Sequence, residues 1–146
     1  MTLLLRSIVI AFAFLISCMV AAVTIAYGLI APEIPELRGA PEFALLLLFF
    51  GGAAGVVTPF YVFAPSFVAI LAAEMLSLRS VLYYAIAGAL IGALAYFMTD
   101  VSARIAGNGP VVPITLELQW PTAAGIIAGF VYWLIAGRKA GRWKSA

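Results

Sequence analysis

From Phe43 to Ala73 the chain carries no charged side chain, and the next charge is Glu74. A soluble domain buries so long an apolar run only beneath a surface rich in charge. Here charged residues make up 10% of the chain against 66% hydrophobic, and mean hydropathy is +1.17. Those values lie far outside the range of water-soluble folds, so the composition makes a bilayer the required solvent. A single integral membrane domain over 1–146 is the expectation.

Four apolar segments are predicted to span, at about 7–30, 43–76, 81–105 and 121–137. Each approaches the ~20 residues that a helix needs to cross a ~30 Å hydrocarbon core. Lipid offers no partner for bare N–H and C=O groups, which forces helices, and the runs lack the alternation of a β-barrel. The predicted fold is therefore all-α, a four-helix transmembrane bundle. The Pro- and Glu-rich loop 31–42 separates the first two helices. The short "SLRS" (77–80) predicts an antiparallel hairpin of helices two and three. Gly107 and Asn108-Gly109 suit a helix stop and a turn. The alternating "ITLEL" (114–118) predicts a short extended piece, with Trp120 at headgroup level and Pro121 opening helix four.

Basic residues set the expected orientation. With the N-terminus inside, Arg6, Arg79, Arg138, Lys139, Arg142 and Lys144 are cytoplasmic, while Arg38 and Arg104 lie outside. That asymmetry follows the positive-inside rule. Splitting the long segment near Ala64 gives five spans with the N-terminus outside and the same charge count. It demands a tight turn at "YVFAPS", which has no glycine, charge or amide side chain, so four spans are preferred.

The long second segment would measure about 48 Å as one helix over 43–74, well beyond the ~30 Å core. Pro59 and Pro65 cannot donate to the carbonyls of Gly55 and Tyr61, and each ring disturbs the residue before it. A helix kinked between Thr58 and Ser66 is expected, the two hydroxyls standing beside the breaks. If the break opens a polar cavity, as in transporters with discontinuous helices, Thr58, Ser66 and Glu74 are the residues to line it.

Glycines recur four apart at Gly51/Gly55, Gly88/Gly92 and Gly125/Gly129. Such stripes let helix backbones approach closely within one bundle, or against a second copy or another membrane subunit. Glu74 and Arg79 flank the inner end of the hairpin, where a carboxylate either pairs with a cation or serves as a proton or cation ligand. Asp100 and Arg104 are spaced for a pair on a solvated helix end. The tail bearing Arg138, Lys139, Arg142, Trp143 and Lys144 reads as a cytoplasmic anchor attracted to anionic lipid headgroups, not as a nucleic-acid site. "LISC" (15–18) loosely fits a lipoprotein cleavage box, but the apolar run continues past Cys18 as in an uncleaved signal anchor.

No histidine is present, and the single cysteine allows no internal disulfide. No catalytic set, metal motif or phosphate loop can be assembled, so neither catalysis nor a cofactor is expected. Tyr61, Tyr83, Tyr84 and Tyr96 suit packing or interfacial roles.

The stretches "LAAEMLSLRSVLYYAIAGALIGALAYF" (71–97) and "AAGIIAGFVYWLIAGRKAGRW" (123–143) carry a resemblance. Ala73-Glu74 followed by Arg79-Ser80, with Gly129 through Trp143, resembles a group of small uncharacterised alphaproteobacterial inner-membrane proteins. The likeness covers the second half. It implies a helical bundle in a bacterial inner membrane and brings no activity or ligand. The functional expectation is a non-catalytic accessory or scaffold protein working through helix contacts, with a small transporter or channel as the alternative.

Overall fold

The computed structural model describes residues 3–33, 35, 40–105 and 114–141, and every regular element among them is helical. Helix α1 spans Leu3–Glu33, α2 Pro41–Leu76, α3 Val81–Ile105 and α4 Ile114–Ile135, followed by a 3-10 turn at Gly137–Lys139. Among the described residues three stretches are long and apolar enough to cross a membrane: Leu4–Gly28, Val81–Met98 and Leu118–Ile135. In α2 the apolar helical stretches Pro41–Gly55 and Val62–Leu76 lie on either side of residues 56–61.

The helices alternate in direction. Gly51 of α2 lies against Val23 of α1, and Gly55 against Met19, so these two run antiparallel. Gly88 of α3 faces Gly125 of α4, Gly92 faces Pro121, and Gly129 faces Tyr84, which makes the second pair antiparallel too. Helix α1 also packs along α4, from Arg6 near Ala136 to Gly28 under Trp120. The tight neighbours are thus α1 with α2, α1 with α4, and α3 with α4.

The α3–α4 seam is close because it has no side chains in it. A Cβ placed on Gly88 would fall on the Gly125 carbonyl oxygen, and one on Gly125 would fall on that of Gly88. Where apolar burial gives helices no reason to associate, such close approach supplies dispersion contact instead. The stripe is therefore covered within the chain.

One expectation is corrected here. "ITLEL" is not extended: α4 begins at Ile114, and Pro121 sits inside it. The added turns place Trp120 over Gly28 and edge-on to Tyr27, with ring centroids 6.2 Å apart. This long-range packing outweighs a local alternating pattern. Thr122 Oγ1 donates to the Leu118 carbonyl at 2.8 Å, next to the ladder position that proline leaves vacant. The α2–α3 hairpin forms across 77–80 as its short connection predicts. Tyr83 Oη donates to the Ala69 carbonyl at 2.8 Å near the connection, but α2 and α3 meet little elsewhere.

Helix α2 continues unbroken through Pro59 and Pro65. Arg6 and Glu74 share one end of the bundle, so α1 and α2 carry the chain along the bundle and back once between them. Its 36 residues correspond to about 54 Å of helix, longer than a ~30 Å core. The side chains of Thr58, Pro59 and Tyr61 lie outside the described residues, as do those of Asp100 and Arg104, the turn 106–113, and Arg142, Trp143 and Lys144.

Candidate functional site

Polar chemistry gathers at one end of the bundle. Helix α1 delivers Arg6 in its first turn, and α2 delivers Glu74 in its last. Helix α2 stops because Ser77 adopts the left-handed conformation (φ 53°), with the Leu78 N–H donating to the Ala73 carbonyl at 2.9 Å. After α4, the turn at Gly137–Lys139 folds the chain back across both helix ends.

Arg6 is 4% exposed, so its charge needs compensation inside the protein. Its Nε donates to Glu74 Oε1 at 3.1 Å, and its Nη2 donates to the same oxygen and to the Ala136 carbonyl at 2.9 Å. Glu74 Oε2 accepts the Gly141 N–H at 2.9 Å. Gly141 has φ +72°, and a side chain there would run into Ser77. The Arg6 Nη1 atom is buried with no hydrogen-bond partner among the described residues. One ion pair thus ties α1, α2 and the C-terminal turn together.

A second set of contacts fastens the hairpin to α4. Arg79 Nε donates to the Ala140 carbonyl at 3.1 Å, and Trp133 Nε1 donates to the Arg79 carbonyl at 2.8 Å. The Arg138 guanidinium lies 4.6 Å from the Trp133 ring centre, a cation–π distance. Lys139 is exposed. Beneath this clasp lies a layer of Ala13, Ala73, Tyr84, Tyr132 and Ala136, the two tyrosine rings 5.6 Å apart.

Deeper in the bundle, all four helices line an apolar cavity of about 140 Å³. Ser66 and Pro65's neighbours from α2 reach this wall, but Glu74 does not. Ser17 donates to the Ala13 carbonyl at 2.8 Å and Tyr84 to the Leu78 carbonyl at 3.1 Å, so neither hydroxyl is spare. Among the described residues no Asp, Glu, Lys or Arg stands on the cavity wall.

No family model, curated protein or solved structure matches the chain. What the site can do must be read from its geometry alone. Both Glu74 oxygens already accept hydrogen bonds, which suits a fastening role better than proton or cation transfer. Among the described residues no group of three or more His, Cys, Asp or Glu side chains comes together.

The six stripe glycines and Glu74 all lie at inter-element contacts; Ser66 lies on the cavity wall. Arg6, Ala136, Ala140 and Gly141 escaped sequence reasoning as site residues. Arg6 was legible only as a topology marker, though a charge at the edge of an apolar run signals the need for a partner. Glu74 and Arg79 on one side and Ala140 and Gly141 on the other meet in the clasp.

Proposed function

We propose that this protein is an integral membrane protein that crosses the bilayer four times and acts as a non-catalytic accessory or scaffold through its helix surfaces. The observation that carries this reading is its inverted polarity. Leu48, Phe49, Leu82 and Leu90 are all more than 60% exposed, while Arg6 and Glu74 are shielded and paired inside. Water would punish that arrangement on both counts, and hydrocarbon favours it. Helix α2 is the fourth span, its length exceeding the core and its clasp end reaching the headgroups.

Arg6, Arg79, Arg138 and Lys139 share the clasp end, which supports placing that end in the cytoplasm of a bacterial inner membrane, near anionic headgroups. The α3–α4 glycine stripe is occupied within the chain, so a second copy or another membrane subunit would use the exposed Leu- and Phe-rich faces. Purification from native membranes in mild detergent tests the role. A homo-oligomer or a stoichiometric membrane subunit is expected, and a strict monomer with no companion contradicts it.

A small transporter is the second reading, favoured by the cavity beside Pro65 and Ser66. Its apolar wall suits ions and polar solutes poorly. Solute flux in proteoliposomes, with Pro59→Ala and Glu74→Gln as comparisons, separates the two.

A further inference from the structure

We infer that the cavity between the four helices is a binding site for one phospholipid acyl chain, which enters sideways through the seam between α2 and α3. The inference rests on the membrane reading above. Its wall is drawn from Cys18 and Ala21 of α1, Ala69 of α2, Ile91 of α3 and Ala128 of α4, with little polar surface among them. The cavity is partly open to its surroundings, and of the helix pairs that pack along the bundle α2 and α3 meet least. Tyr83 bridges those helices at the clasp end, so the gap lies farther along them, at the depth of lipid tails.

Chemistry and size select the occupant. Water needs two to four polar partners, whereas the wall's hydroxyls, those of Ser17, Ser66, Tyr84 and Tyr132, present little polar surface, and Ser17 and Tyr84 already donate to backbone carbonyls. A cavity of about 140 Å³ is close to the ~150 Å³ that holds a benzene molecule, room for about six carbons. A partner helix is ~10 Å across and does not fit. A slender unbranched chain does. Its source lies alongside, because large apolar side chains of both helices, Val68 of α2 and Leu90 and Leu94 of α3 among them, are exposed to the surrounding medium. The charged headgroup stays outside, since among the described residues the wall carries no basic or acidic side chain to hold it.

The test uses the full-length protein in vesicles of phosphatidylethanolamine and phosphatidylglycerol, doped with a phosphatidylcholine that carries a photoreactive diazirine in one acyl chain. Adducts are mapped by peptide mass spectrometry. Labelling is expected on the wall residues Ser66, Ile91 and Ala95 as well as on the outward Phe49 and Leu90. Filling the cavity with Ala69→Leu or Ala128→Leu removes room for about three carbons and should lower wall labelling at least about tenfold, leaving Phe49 and Leu90 unchanged. Adducts on Phe49 and Leu90 alone overturn the acyl-chain site and leave the membrane reading intact. Adducts on neither set overturn both. Wall labelling that persists in both filled variants also overturns the site.

Discussion

Arg6 and Glu74, 68 positions apart, meet side by side under the C-terminal turn, the Arg6 Nε donating to Glu74 Oε1 at 3.1 Å. Together they fix which ends of α1 and α2 lie together. Removing one partner leaves the other charge buried alone. Glu74→Gln is expected to destabilise the protein by about 3 kcal/mol, and Arg6→Met by a similar amount. The double variant Arg6→Met/Glu74→Leu should recover most of that loss. Unfolding in mixed detergent micelles measures all three. Additive losses in the double variant would show that the pair is not coupled.

Gly125→Val should force α3 and α4 apart, because the branched side chain points at the Gly88 backbone, which has no flexible end to yield. A loss of about 2 kcal/mol is expected from such overpacking. Gly52→Ala is the matched comparison: its nearest atom is the Met19 terminal carbon at 3.9 Å, and it should be tolerated. Equal effects of the two would contradict the assigned α3–α4 seam.

Gly141→Ala combines a left-handed backbone with a collision at Ser77. It should cost about 1–2 kcal/mol from the backbone alone. Ser77→Gly, added to it, removes the collision but not the strain, so rescue is expected to be partial. Complete rescue would show that the φ of Gly141 is not constrained by its bond to Glu74.

Trp133→Phe keeps a ring under Arg138 but deletes the indole N–H that donates to the Arg79 carbonyl. A loss of about 1 kcal/mol is expected for that hydrogen bond. Trp133→Leu also removes the ring face and should lose roughly 1 kcal/mol more. Identical losses for Phe and Leu would remove the cation–π contact from the account.

How much of this was legible in the chain depended on the range of the forces involved. The bounds of α3 follow from hydropathy and the "SLRS" turn, both local, and Val81 begins the helix where the pattern places it. The start of α4 did not, because Trp120 reaches Gly28 of a helix ninety-two positions earlier (120 − 28) and its packing overrides the alternation of "ITLEL". The glycine spacing marks which helix faces are smooth. It does not say that Gly88 opposes Gly125 while Gly51 opposes Val23, since every smooth stripe can meet any other. Glu74 read alone is equally a ligand or a pair member. Only the position of Arg6 and the Gly141 N–H decides between them.

Topology is the most direct check on all of this, because hydrocarbon on every side and a clasp at one face must hold together. Single cysteines introduced at Arg38, Ser80 and Lys139 in a Cys18→Ala background can be titrated with a membrane-impermeant maleimide in intact cells and after permeabilisation. Arg38→Cys should react from outside. Ser80→Cys and Lys139→Cys should both stay silent until the membrane is opened. Reaction of Lys139→Cys in intact cells, or Ser80 and Lys139 on opposite faces, would contradict it.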